Sequence, residues 1–209
     1  MKKIVLSMIM AIAVASTLVA AQKTGCVLAQ KGKVSVDWKA YKTASKIGVG
    51  GVFDDVKYTA IAKEGKNFRS ILVGSSVTID TSSVNSKNEG RDVKLVKFFF
   101  EKMAGKNIDA RITNIKADKK LKDKPRTGIV TLDVKMNNIK KTVPMRYSFS
   151  DGVFSAKGVI DILDFSASKA LSSINKACYD LHKGKTWSDV SIGFTTKIEA
   201  LLCNVKPLK

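Results

Sequence analysis

The sequence predicts an all-β protein, an eight-stranded antiparallel barrel with two short helices. Apolar and polar residues alternate over eight segments, as in strands with one buried face. Two stretches switch to helical spacing, residues 85–103 and Ser166–Lys183. Strands of this kind form either a sandwich or a barrel, and only full closure removes both exposed sheet edges. A barrel of eight strands is about wide enough to hold one small ligand.

The first three predicted strands span residues 34–41, 47–62 and 68–80. In the first of them, Val34, Val36 and Trp38 fall on one face. The early part of the second contains three glycines that predict a bulge or a sharp bend, namely Gly48, Gly50 and Gly51.

Residues 85–103 form the most unusual stretch, because three phenylalanines are adjacent here. Leu95, Phe99 and Met103 recur every four residues, which predicts one face of a short helix. The pair Arg91-Asp92 precedes this face and predicts an ion pair or capping contacts at the helix start. An apolar helix beside a β shell needs somewhere to bury its rings, so we expect it at the mouth or the floor of the barrel.

Five further strands follow, at residues 107–116, 129–136, 139–149, 154–162 and from Trp187 onward. Two dipeptides predict tight hairpin turns between them, Asn137-Asn138 and Asp151-Gly152. The dense basic run Lys119–Arg126 is typical of a solvated loop.

The N-terminus predicts a secretory signal peptide over residues 1–21, with one domain at 22–209 and export to a periplasm. Lys2-Lys3 precede an apolar run of residues 4–19 and the small pair Ala20-Ala21, where cleavage is expected. An uncleaved anchor is the alternative. The sequence at 23–26 matches a lipoprotein box only at Gly25 and Cys26, so Cys26 is either lipidated or available for a disulfide.

Three cysteines are available, and barrel closure favours one pairing. The first and last strands of such a barrel are antiparallel neighbours, so Cys26 and Cys203 should lie at the same end. We therefore predict a Cys26–Cys203 disulfide and a buried free thiol at Cys178. Pairing of Cys178 with Cys203 is the alternative.

The formal charge of +19 allows an anionic membrane surface, a polyanion or a phosphorylated ligand as partner. Lysines are spread along every strand, which fits a generally basic exported protein equally well, and no nucleic acid is expected. The alternative function is therefore a basic periplasmic protein that binds anionic lipid or polyanions at its surface, with no ligand in the lumen.

Catalytic motifs are missing from the sequence. His182 is the sole histidine, and there is no nucleophile elbow, glycine-rich phosphate loop or motif of paired carboxylates. The spacing of cysteines excludes covalent haem and gives no zinc pattern. We predict a protein that is not an enzyme and has no metal or resident cofactor.

Several motifs together resemble the YceI-like periplasmic proteins. These are Ser76-Val77-Thr78-Ile79, then Arg91-Asp92-x-x-Leu95 and Phe99-Phe100, with further matches at Gly51-Val52-Phe53, Ile139–Phe149 and Ser166–Asp189. Lys94 stands where the family usually has His, and Lys102-Met103 replaces a Tyr-Pro pair.

The resemblance implies a lipocalin-like barrel whose lumen binds a long isoprenoid, such as a polyprenyl chain or a quinone tail. The lumen walls would come from Trp38, Phe53, Phe99, Phe100, Tyr147, Phe149, Phe154, Ile160 and Phe194, each of which could equally be plain core packing. Arg91 and Lys94 would meet a phosphate or a quinone oxygen. The partner is thus an isoprenoid lipid, and the sequence leaves a membrane-surface contact and a homodimer open.

Overall fold

The computed structural model describes the backbone of residues 26–203 and the side chains of residues 27–201. The predicted signal peptide, residues 1–21, lies outside this part of the chain. Ten strand segments form one antiparallel sheet: β1 Cys26–Lys42, β2 Ile47–Phe53, β3 Val56–Thr59, β4 Ser76–Asp80, β5 Val84–Asn85, β6 Asn107–Ala117, β7 Arg126–Met136, β8 Ile139–Ser150, β9 Val153–Asp161 and β10 Asp189–Cys203.

The ten segments follow an eight-stranded path. Their order in the sheet is β3-β4-β6-β7-β8-β9-β10-β1-β2-β5. Only Asp54-Asp55 separate β2 from β3, and only the 3-10 turn Thr81–Ser83 separates β4 from β5. The sheet order therefore begins and ends on the same bent hairpin, and the sheet curls into the predicted barrel. The bend falls at Asp54-Asp55 and not at the glycines, because β2 pairs with β1 in regular register from Ile47 to Val52.

Four helices accompany the sheet: α1 Phe68–Leu72, α2 Glu89–Phe98, α3 Ser168–Ala177 and α4 Tyr179–His182. The two predicted helical stretches are confirmed, as α2 and as α3 with α4. The predicted strand 68–80 is wrong over its first half, since Phe68–Leu72 is helical and the strand begins at Ser76. Within the described chain, no helix is both long and apolar enough to cross a membrane.

The two predicted hairpin turns are confirmed. Asn137 and Asn138 both take positive φ, at 51° and 60°, as a two-residue turn between β7 and β8 requires. Asp151 and Gly152 do the same between β8 and β9, at 52° and 74°. These turns fix the register of the β7–β9 meander.

The inward faces of β7 and β8 form the centre of the core. Their buried side chains alternate strictly along each strand, as predicted, and comprise Val130, Leu132, Val134, Met136, Val143, Met145 and Tyr147.

The two ends of the barrel differ. We call the end that carries α1 the closed end, and the end that carries α2, α3 and α4 the open end.

The strands β1 and β10 are antiparallel neighbours, and their register places Cys26 opposite Cys203. Directly opposed residues in such a pair have α-carbons about 4.5–5.5 Å apart, within reach of a disulfide. The side chains of both cysteines lie outside the described residues, so the disulfide stays a prediction. Cys178 is buried and free, as predicted.

Candidate ligand-binding site

An apolar cavity runs along the barrel axis toward the open end. Its inner part has a volume of about 110 Å³ and its outer part about 470 Å³. The two parts adjoin, and six side chains line both: Trp38, Phe53, Ile108, Met136, Ile160 and Ile192. The outer part alone is within the range of cavities that hold small ligands, about 300–1,000 Å³.

Capping contacts hold α2 beside this cavity. Asn88 caps the helix, its side-chain oxygen accepting a hydrogen bond from the Arg91 N–H at 2.9 Å. The Asp92 carboxylate accepts from the N–H of Ser86 at 3.0 and 3.1 Å, and from its hydroxyl at 2.5 Å. The motif Arg91-Asp92 therefore fixes the helix start through Asp92 and leaves the Arg91 guanidinium available to the cavity.

The end of α2 and the face of α3 complete the outer wall. Phe99 and Phe100 contact each other edge to face with ring centroids 5.2 Å apart, and Phe100 contacts Phe53 at 6.0 Å. From α3 and the residue that ends it, Leu171, Ile174 and Cys178 line the same space. The wall is thus aromatic on one side and aliphatic on the other.

Four basic side chains line the mouth of the cavity at the open end: Lys42, Arg91, Lys94 and His182. All four are half-buried, and no carboxylate is among the described residues that line this space. Burial, followed by repulsion from Lys42, Lys94 and Arg91, lowers the pKa of His182 below its usual value. An apolar cavity that opens through an uncompensated positive mouth suits an amphiphile with an anionic or strongly polar head.

A buried polar atom of the cavity wall lacks a protein partner. The Trp38 indole N–H is buried and has no hydrogen-bond acceptor in the described part of the chain. Trp38 lies where the inner and outer parts of the cavity meet. A buried donor of this kind favours an oxygen-bearing group or a water molecule beside it.

Most of the predicted contact residues lie on the cavity wall. Those that line it are Trp38, Phe53, Phe99, Phe100, Ile160 and Phe194, with the predicted head-group residues Arg91 and Lys94 at the mouth. Contact of these residues with a ligand remains a prediction.

Three predicted wall residues, Tyr147, Phe149 and Phe154, lie instead in an aromatic cluster at the closed end. Phe68 of α1 contacts their rings edge to face, at 6.1 Å from Tyr147, 4.9 Å from Phe149 and 5.4 Å from Phe154. Phe154 also stacks on Tyr147 at 4.8 Å. Burial raises the pKa of the Tyr147 phenol. These rings pack against each other and line neither part of the cavity.

Lys42 and His182 are mouth residues that the sequence prediction missed. Lys42 ends β1 and His182 ends α4, and they reach the same mouth because β1 pairs with β10. The alternation along β1 places Ala40 on the face toward the lumen, and Lys42, two residues later, shares that face. This alternation is the one sequence signal for Lys42. For His182, near the end of the helical stretch Ser166–Lys183, the sequence offers no comparable signal.

Groups of three or more His, Cys, Asp or Glu side chains that could hold a metal ion do not occur among the described residues.

Comparison with solved structures supports the fold. The chain is similar to a polyisoprenoid-binding domain from Saccharophagus degradans implicated in plant cell wall breakdown, with a TM-score of 0.52, 12% identity, and coverage of 83% of this chain and 98% of that chain. It is similar to BcnA of Burkholderia cenocepacia, with a TM-score of 0.52, 14% identity, and coverage of 80% and 96%. A YceI protein of Campylobacter jejuni matches with a TM-score of 0.46, 19% identity, and coverage of 74% and 85%.

A search of curated proteins found no match. The model of the YceI-like domain, in contrast, matches residues 22–200, nearly all of the chain. That match agrees with the antiparallel barrel that the chain forms. The chain belongs to the YceI-like family.

Proposed function

We propose that this protein is a periplasmic carrier that holds a long isoprenoid lipid in the barrel, with the tail in the apolar cavity and the head at the basic mouth. The observation that carries the proposal is the apolar cavity of the barrel, about 470 Å³ in its outer part, which opens between α2 and α4. The similarity to a polyisoprenoid-binding domain supports the choice of tail.

Burial of the tail supplies the affinity. Each methylene removed from water contributes about 0.8 kcal/mol, so a tail of several isoprene units binds without any specific polar contact. The mouth then selects the head, since Arg91, Lys94 and Lys42 have no carboxylate partner among the described residues. A polyprenyl phosphate would meet these cations, whereas a quinone oxygen would accept from them or from the Trp38 indole.

The periplasmic part of the proposal rests on residues 1–21, whose charged start, apolar run and Ala20-Ala21 are typical of a cleaved signal peptide. An oxidising compartment would also allow the Cys26–Cys203 disulfide, for which the opposed positions in β1 and β10 are suitable.

Organic extraction of the purified protein, followed by mass spectrometry, tests the proposal. A co-purifying molecule of isoprenoid mass in one-to-one ratio is the expected result. The variant Ile160→Trp should abolish it, because Ile160 lines both parts of the cavity. The matched control is Val159→Trp on the same strand, where the side chain is 59% exposed on the outer face.

Retention of the same lipid by Ile160→Trp and by the control would place the lipid outside the barrel and overturn the proposal. Extraction of no lipid, together with no uptake of farnesol or farnesyl phosphate added to the purified protein, would overturn it as well.

A further inference from the structure

Two segments at the open end form one continuous surface beside the mouth. The turn at 43–46 and the segment 179–187 are joined by a hydrogen bond from the Thr43 N–H to the Lys185 carbonyl at 2.9 Å. The Trp187 indole N–H donates to the Thr43 carbonyl at 2.8 Å. We call this surface the rim, and it includes Tyr41 and Ile47 at the two ends of the turn.

The rim exposes three large apolar side chains. Tyr179 and Leu181 of α4 are 64% and 60% exposed, and Ile47 is 51% exposed. Leu181 also lines the cavity, so the exposed apolar surface continues into the mouth. Exposed apolar groups that surround a cavity entrance indicate contact with another apolar phase.

Basic groups lie among these apolar side chains. The ammonium of Lys46 sits 5.1 Å from the centre of the Tyr41 ring and 4.9 Å from that of Trp187, and Lys185 sits 4.5 Å from Trp187. Lysines beside Trp and Tyr are typical of surfaces at the membrane–water interface, where the ring and the lysine stem are apolar and the charged end stays wet.

Acidic groups do little to offset this charge. Within residues 179–189 the carboxylates are Asp180 and Asp189, and Lys46 already forms an ion pair with Asp189 at 2.7 Å. The half-buried cations of the mouth, Arg91 and Lys94, add to the field beside the rim. The rim thus combines exposed apolar side chains with net positive charge, which complements a bilayer of anionic lipids.

We propose that the rim docks on an anionic lipid bilayer, with Leu181 and Tyr179 inserted among the headgroups and the cavity mouth facing the membrane. In this orientation an isoprenoid passes between bilayer and cavity without crossing water. The identity of the transferred molecule, an isoprenoid, rests on the proposed function. Docking on the bilayer does not require a bound isoprenoid.

The closed end offers a matched control. The loop Lys119–Arg126 is the densest basic run of the chain, and its Leu121 is 61% exposed, close to the 60% of Leu181. The pair of variants Lys183→Glu/Lys185→Glu and Lys119→Glu/Lys120→Glu therefore changes charge equally at the two ends. Leu181→Asp and Leu121→Asp form a second matched pair that tests apolar insertion.

The experiment is flotation of the purified protein, freed of lipid, with vesicles of phosphatidylcholine alone or mixed with phosphatidylglycerol. We expect flotation with the anionic vesicles and its loss at high salt. The two rim lysine substitutions should weaken binding by more than about tenfold, since each basic group near an anionic surface contributes roughly fivefold. Leu181→Asp should also weaken it, while both closed-end variants bind like the parent protein.

Three results would overturn the proposal: no binding to anionic vesicles, equal binding to neutral vesicles, or loss of binding only in the closed-end variants. A fourth such result would come from light scattering in the absence of vesicles. If the protein self-associates and Leu181→Asp abolishes the self-association, the rim binds a second copy of the chain. The extraction experiment on Ile160→Trp does not depend on any of these, so the two proposals fail separately.

Discussion

The closed and open ends of the barrel are built from similar parts and do different work. Each end has a short helix, a group of aromatic rings and several basic residues. At the closed end Phe68 of α1 contacts three other rings, which pack against one another. At the open end α2 lies beside the barrel with no fully buried residue, and its last turn borders the apolar cavity.

Several basic side chains at the two ends also differ in their partners. At the closed end the Arg69 guanidinium donates hydrogen bonds to the Ile115 carbonyl at 2.9 Å and to the Asn114 side chain. Arg146 forms an ion pair with Asp118. At the open end Lys42, Arg91 and Lys94 are half-buried without a carboxylate in the described structure. We infer that the closed end stabilises the fold. The unpaired cations and the apolar wall of the open end are available to bind a ligand.

A matched pair of Phe→Ala substitutions tests the difference between the two ends and has the largest expected effect. Phe68→Ala should lower the free energy of unfolding by about 3–5 kcal/mol, because it leaves a cavity inside a packed aromatic cluster. Phe99→Ala should cost only about 1–2 kcal/mol, since its ring is half-buried beside space that is already empty. Urea unfolding monitored by tryptophan fluorescence measures both.

Ligand binding should respond in the opposite order. Phe99→Ala should weaken the binding of farnesol, whereas folded Phe68→Ala should bind it like the parent protein. Equal stability losses at the two ends, or a binding defect confined to Phe68→Ala, would show that the division of work is wrong.

The predicted Cys26–Cys203 disulfide would add to the stability of the closed end, where β1 begins and β10 ends. The double substitution Cys26→Ser/Cys203→Ser should lower the free energy of unfolding by about 2–4 kcal/mol under oxidising conditions and by little under reducing conditions. A peptide map without reduction identifies the bridge directly. A bridge that includes Cys178, or a lipid on Cys26, would remove this contribution from the closed end.

The sequence predicted the barrel well because strand alternation is a local signal. The inward set on β7, Val130, Leu132, Val134 and Met136, is buried as its period of two requires. The helix α1 was missed because Ile71 and Val73 also fit a strand pattern. Its real signal is the capping box at Asn67 and Ser70, in which Ser70 N–H donates to Asn67 at 3.0 Å and Asn67 N–H to Ser70 at 3.1 Å.

The division between the two ends was beyond the sequence for a different reason. Phe154 and Phe194 have the same inward orientation, their rings stack at 5.9 Å, and yet only Phe194 lines the cavity. Which aromatic ring packs and which leaves space depends on where α1 inserts along the barrel axis. Alternation gives the face of a side chain, but it does not give its depth.

Removal of the mouth charge tests whether the open end binds an anionic head group. The double substitution Arg91→Gln/Lys94→Gln should weaken binding of farnesyl phosphate by at least about tenfold, since a hydrogen bond to a charged group contributes about 1.5–3 kcal/mol. Farnesol has the same tail without the charge, and its affinity should change little. Isothermal calorimetry measures both affinities.

Lys97→Gln is the control, because Lys97 is exposed on the same helix and lies outside the cavity lining. An equal loss for farnesol and farnesyl phosphate would mean that Arg91 and Lys94 shape the wall and do not bind the head. In that case the Trp38 indole is the better candidate partner, and Trp38→Phe should weaken the binding of a quinone.

The smallest expected effect is the pH dependence that His182 gives to the open end. Its pKa is lowered in the folded protein, so as pH falls through about 6.5 the unfolded chain takes up this proton first and stability decreases. Hydrogen bonds from Ser82, Thr127 and Lys140 lower the pKa values of Asp80, Asp118 and Asp133, so these carboxylates act only at still lower pH.

His182→Gln should therefore reduce the pH dependence of the unfolding midpoint between about pH 7 and about pH 5, the range in which histidine titrates. A bound phosphate head should offset the repulsion from Lys42, Lys94 and Arg91 and favour protonated His182. The phosphate takes up its own second proton at about pH 6, so His182→Gln is the reference: as pH falls through this range, the affinity for farnesyl phosphate should rise in the parent protein relative to the variant. The same pH dependence of affinity in both proteins would place the anionic head away from His182 and confine the mouth to Arg91 and Lys94.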